Sequence, residues 1–137
     1  MLYANVVVGT DGSHTANLAV AHACELVTHG GGTLHVVHAW DVSPAMARLG
    51  DEAGDSGAAM LAEVAAVCTD AGATVQMHLM RDDPADALLD VAEAVHADLI
   101  VVGNRGMSSA KRFLLGSVPN KVSHHAHCTV LIVRTAD

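Results

Sequence analysis

Five short β-rich runs, separated by stretches of helical character, leave few architectures open to this chain. The first run, residues 2–9, is apolar almost throughout and carries Val6, Val7 and Val8 in succession. A half-exposed strand would alternate apolar and polar residues, so an unbroken run fits a central parallel strand covered on both faces. It stops at Gly9-Thr10-Asp11-Gly12-Ser13, where Ser13 is a good helix N-cap. Residues 14–28 then read as a helix, ended by the triplet Gly30-Gly31-Gly32.

The pattern repeats along the chain. Residues 33–40 form a second β-rich run, and residues 41–54, with Pro44 and two glycines, read as a loop or lid. A helix over 55–71 carries Met60, Leu61, Val64 and Val67 at helical spacing and stops at Gly72. Residues 73–80 are the third strand. Asp83-Pro84 is a strong helix start, with Asp as cap and Pro at the first helical position. That helix runs to about His96, residues 98–102 form the fourth strand, a helix follows over 117–126, and residues 129–134 are the last strand.

Strands alternating with helices imply an α/β domain, one unit over residues 1–137, with right-handed crossovers and helices on both faces. With the most apolar strand placed centrally, the expected sheet is open, five-stranded and parallel, in order 3-2-1-4-5. That order puts a topological switch point between the first and fourth strands, and ligands of open α/β sheets bind beyond the carboxyl ends there. Gly9-Thr10-Asp11 ends one of these strands, and Gly103-Asn104-Arg105-Gly106 ends the other.

The second of those ends opens a longer pattern, Gly103-x2-Gly106-x9-Gly116-Ser117. Glycines let backbone approach an anion closely, and successive N–H groups make a concave anion site. Gly116-Ser117 opens a helix, whose N-terminus adds unpaired N–H groups and a partial positive charge. Arg105, Lys111 and Arg112 lie between, three of the seven Lys and Arg residues of the chain. The segment reads as a phosphate cradle, and an Asp11 carboxylate across the switch point can accept hydrogen bonds from a ribose or adenine; the same carboxylate could equally serve the turn before Ser13. No G-x-x-x-x-G-K-[ST] is present, and no G-x-G-x-x-G follows the first strand, which excludes a P-loop and speaks against a dinucleotide fold.

These residues carry a resemblance. VVVGTDGS over 6–13, HAWD over 38–41, DLIVVG before the glycine pattern, the pattern itself and the final VLIVR are similar to those of universal stress proteins of the small, nucleotide-binding type. The similarity spans essentially the whole chain. It implies a Rossmann-like sheet of the adenine nucleotide alpha hydrolase kind and binding of ATP. Matched position by position, Thr10 and Asp11, at the strand end marked by Gly9, would meet adenosine and Ala39 would line the adenine pocket. Val102 and Gly103 would touch the ribose side, and Arg105, Gly106, Gly116, Ser117 and Val118 would hold phosphates. The segment GNRGMSS…LLGSVPNKVS is also similar to actinobacterial members that favour cyclic AMP. Pro119 departs from the family pattern, in which a residue with an N–H stands there. Mg2+ is the cation a triphosphate would bring, with Asp11 the one acid placed at the site. The resemblance further implies a homodimer formed through the last strand, whose open edge would otherwise be a pairing liability.

Composition bounds the remaining classes. The formal charge of −8 argues against nucleic acid or an anionic membrane surface as partner. No apolar run approaches the length of a membrane span, and the N-terminus reads as a strand rather than a leader. Cys24, Cys68 and Cys128 are far apart in sequence and read as buried thiols of a reduced cytoplasm. His124, His125, His127 and Cys128 straddle a helix end and a strand start, where alternate residues diverge; a cationic helix C-terminus accounts for them better than a metal site. His35 and His38 point to opposite faces of their strand, with His38 toward the adenine side. No nucleophile with a base is recognisable. A weak ATPase and a nucleotide-independent dimeric interaction module are the alternatives to a nucleotide-binding sensor or buffer in stress physiology.

Overall fold

The computed structural model describes residues 2–40, 50–104 and 115–135. Its elements follow in the order β1 (Asn5–Gly9), α1 (His14–Gly30), β2 (Thr33–Trp40), α2 (Gly50–Asp70), β3 (Thr74–Arg81), α3 (Pro84–Ala94), β4 (Leu99–Gly103), α4 (Ser117–His125) and β5 (Thr129–Val133). The strands form one parallel five-stranded sheet in the order β3-β2-β1-β4-β5. The expected topology is therefore the observed one. Two expectations are corrected: α2 begins at Gly50, inside the stretch expected to be a loop or lid, and of the three cysteines expected to be buried only Cys68 is, Cys24 and Cys128 being partly exposed. Three glycines lie in the first eight residues of α2 and weaken the helical signal there. Of that stretch, residues 41–49 lie outside the described residues.

Val6, Val7 and Val8 are fully buried, as a central strand covered on both faces requires. Val6 and Val8 join the cluster with α1 and α2, which includes Ala19, Val20, Ala23, Val27, Leu61 and Cys68. Val7 joins the cluster with α3 and α4, which includes Ala87, Leu88, Val91 and Val122. Alternate residues of one strand thus feed two cores, and the small Ala and Val side chains let the helices lie close to the sheet.

Backbone ends are satisfied by identifiable groups. Asp98 clamps the start of β1, accepting from Ala4 N–H at 2.7 Å and Asn5 N–H at 3.0 Å through its two oxygens. The Ser13 side chain caps α1 by accepting from Ala16 N–H, and Asp83 caps α3 by accepting from Asp86 N–H. Helices α2 and α3 finish with the same paired bonds. Gly72 N–H donates to Thr69 and Ala73 N–H to Cys68, just as His96 N–H donates to Glu93 and Ala97 N–H to Ala92. The left-handed residue is Gly72 (φ 104°) in one and His96 (φ 53°) in the other.

Candidate functional site

The parting of the chain between β1 and β4 opens a cleft at the carboxyl end of the sheet. Both layers line it. Thr15, Ala16 and Ala19 come from α1, Pro84 and Leu88 from α3, and Val118 and Pro119 from α4, with Val37 and Ala39 entering from β2. Its wall is mainly apolar with a few polar groups, the make-up usual for small-molecule sites.

On the β1 side the backbone is held rigidly. Thr10 N–H donates to Val37 carbonyl at 2.9 Å, and the Thr10 hydroxyl accepts from Gly12 N–H at 3.0 Å. The Thr10 carbonyl accepts from His38 Nδ1–H at 2.8 Å. His38 thus supports the turn from behind and is absent from the cleft wall. Asp11 Oδ1 accepts from Ser13 N–H at 2.9 Å, so Asp11 shapes the turn before Ser13, and the same residue lines the cleft. Two close approaches explain the glycines here. A Cβ on Gly9 would lie 3.2 Å from Leu88 Cδ2, and Gly12 (φ 81°) sits under Met60.

On the β4 side, Asn104 ties three segments together. Its N–H donates to Val133 carbonyl at 2.8 Å and its carbonyl accepts from Gly116 N–H at 3.0 Å. Its side-chain oxygen accepts from Thr135 N–H at 2.8 Å and from the Thr135 hydroxyl at 3.2 Å. One residue therefore links the end of β4, the end of β5 and the start of α4. Gly116 gives α4 no side-chain cap. Ser117 and Val118 N–H groups consequently have no partner inside the helix, while Pro119, buried at the third position, supplies none.

The cleft gathers Gly9, Thr10, Asp11, Ala39, Val102, Gly103 and Val118 of the residues expected from sequence. Gly116 and Ser117 stand beside it at the start of α4 but outside its wall. Arg105 and Gly106, with Lys111 and Arg112, lie outside the described residues. Sequence reasoning did not single out Thr15, Leu88 or Thr135 as lining, nor Asn104 as a strut. Only the Asx-type position of Asn104 between two glycines hinted at the last. Among the described residues no group of three or more His, Cys, Asp or Glu is placed to hold a metal ion. His124 instead bonds the Asn120 carbonyl at 2.7 Å in the last turn of α4. No helix among the described residues is long and apolar enough to cross a membrane.

Comparison with known proteins places this geometry. A universal stress protein from Mycobacterium tuberculosis, Rv1636, is 37% identical over 97% of this chain and 97% of its own length. MJ0531 of Methanocaldococcus jannaschii, also a universal stress protein, is 30% identical over 97% of this chain and 83% of its own. A crystal structure of a universal stress protein in complex with cAMP superposes with a TM-score of 0.81 at 36% identity, covering 99% of this chain and 100% of that one. The Archaeoglobus fulgidus protein in complex with dAMP gives 0.77 at 28% identity, covering 98% of this chain and 100% of that one. The family model for universal stress proteins matches residues 2–134, and the chain belongs to that family.

Proposed function

We propose that this protein binds an adenine nucleotide, ATP or cyclic AMP, in the cleft between β1 and β4, and acts as a nucleotide sensor or buffer. One observation carries the reading: an apolar cleft at the switch point has Asp11 on one wall and the uncapped start of α4 on the other. A purine fits the apolar part against Val37 and Ala39. The Asp11 carboxylate is suited to accept from a ribose hydroxyl, and the Ser117 and Val118 N–H groups are suited to a phosphate. The described residues offer no further carboxylate in the cleft wall for Mg2+. The cAMP and dAMP complexes of related proteins support the adenine assignment. The missing Pro119 N–H favours a ligand that asks fewer donors of α4 than a triphosphate does.

Calorimetric titration with ATP and with cyclic AMP tests the proposal. Saturable heat is expected with at least one of them, and flat titrations with both at about 1 mM would reject it in favour of a nucleotide-independent interaction module. Asp11→Ala should weaken binding about tenfold to a hundredfold, the worth of a hydrogen bond to a charged group.

Self-association through β5 is part of the same proposal. Leu131 and Ile132 stand 37% and 38% exposed on this edge strand, which pairs with β4 on one side. Light scattering should give twice the chain mass, and Leu131→Lys should return it to one.

A further inference from the structure

We propose that Cys24 and Cys68 form a redox-sensitive pair that peroxide converts into an intramolecular disulfide between α1 and α2. The two are 44 residues apart in sequence, but the Cys24 sulfur lies 3.9 Å from the Cys68 carbonyl oxygen. Cys68 belongs to the core cluster between these helices and the sheet, Cys24 packs against that cluster, and both are free thiols. A disulfide needs Cα atoms within about 7 Å. The Cys24 sulfur already rests against the Cys68 backbone, and the two thiols lie within side-chain hydrogen-bonding reach of one another.

The pair is asymmetric in a way that orders the chemistry. Cys24 is partly exposed, with the Thr28 hydroxyl 3.9 Å from its sulfur. Cys68 is only 2% exposed. Burial first, and then the adjacent Cys24 thiol, push the Cys68 thiol up to about 12. Cys68 is therefore shielded from dissolved oxidant and stays protonated, while Cys24 can be reached. In the first step the Cys24 thiolate attacks hydrogen peroxide, giving a sulfenic acid and hydroxide. In the second, the Cys68 sulfur displaces the sulfenic oxygen, the S–S bond forms, and the Cys68 proton leaves with that oxygen as water. The sum is two thiols and one peroxide to one disulfide and two waters. Because the buried thiol is the slower partner, the sulfenic acid on Cys24 should persist long enough to be trapped by dimedone.

The native chain contains its own control. Cys128 is partly buried away from both, in the cluster with α3 and α4. Cleavage after Arg48, Arg81 and Lys121 puts Cys24, Cys68 and Cys128 in separate tryptic peptides. The native protein, treated with hydrogen peroxide and then alkylated, should lose two hydrogens in mass and yield one linked peptide pair containing Cys24 and Cys68. Cys128 should remain alkylated, and dithiothreitol should reverse the link. In Cys68→Ala, Cys24 should go on to sulfinic acid instead. Three outcomes overturn the proposal: Cys24 reaching sulfinic acid in the native chain while Cys68 is still alkylated, linkage only between two chains, or linkage only after unfolding in urea.

Discussion

Gly32 shows most directly what a single residue must satisfy here. A Cβ at this position would run into the Tyr3 carbonyl oxygen and come within 2.9 Å of the Ala4 carbonyl oxygen. Both obstacles are backbone at the start of β1, and Thr33 N–H bonds Ala4 carbonyl, so neither strand can yield cheaply. Gly32→Ala should therefore cost about 1–3 kcal/mol in urea unfolding, the usual penalty of overpacking. His96 predicts the opposite sign. It holds the left-handed position that glycine holds at the end of α2, so His96→Gly should raise stability by about 0.5–1 kcal/mol. An unchanged or lower urea midpoint would contradict that. The His35–His78 pair carries the pH dependence. His35 Nδ1 and His78 Nε2 are 2.9 Å apart, and His35 Nε2 is 3.1 Å from Asn5 Oδ1. A side-chain oxygen only accepts, so His35 Nε2–H donates to it, and His78 Nε2–H donates to His35 Nδ1. The pair is satisfied while neutral. Burial, with the His78 charge adding to it at His35, lowers both groups from 6.5. The unfolded chain then binds more protons just below pH 6.5, so stability is full above that value and falls as pH drops through it. Unfolding midpoints at pH 7.5 and 5.5 should differ in that direction, and His78→Gln should shrink the difference.

At the scale of elements, the cleft depends on how α3 and α4 are held to one another. Lys121 on α4 reaches Asp86 at 2.7 Å and Asp83 at 3.5 Å at the start of α3. Both helices contribute to the cleft wall near these starts, through Pro84, Leu88, Val118 and Pro119. The ion pairs are solvent-exposed, so their effect should be modest and screened by salt. Lys121→Met should weaken nucleotide binding only a few-fold at low ionic strength, and the gap from the native protein should narrow in 0.5 M NaCl; both are read by titration. On the opposite face, a Cys24–Cys68 disulfide would close a loop of 44 residues' separation. Chain-entropy arithmetic sets its stabilisation at about 4 kcal/mol before any strain, measurable as a raised urea midpoint of the oxidised protein. Helix caps were legible in sequence because Ser13 and Asp83 announce themselves by side-chain chemistry. The end of α3 was less so, since His96 fills a position where glycine would have been the sign. The start of α2 was misread for the converse reason: glycines marked a loop where the chain is helical.

For the whole molecule, the sheet order brings together parts of the chain that are remote in sequence. Asp98 pairs the start of β4 with the start of β1, and Asn104 does the same work at the other end for β4, β5 and α4. Asp98→Ala leaves two strand N–H groups without their acceptor and should cost about 2 kcal/mol. A ligand seated between β1 and β4 would bridge the two halves of the sheet. Saturating nucleotide should then raise the melting temperature, with about 2.7 kcal/mol gained at a concentration one hundred times Kd. The sequence by itself determined the α/β class, the strand order, the two strand ends that face each other at the switch point and the part of the cleft lining that those ends supply. Those features rest on local periodicity, on capping residues and on glycine spacing, all of which are written within a few positions of one another. Only the tertiary structure decided that His38 stands behind Thr10, that Asn104 is a strut, that His35 is paired with His78, and that Cys24 lies against Cys68. Each of these joins residues separated by long stretches of chain, and their partners are chosen by helix packing and strand register, which no short stretch of sequence contains.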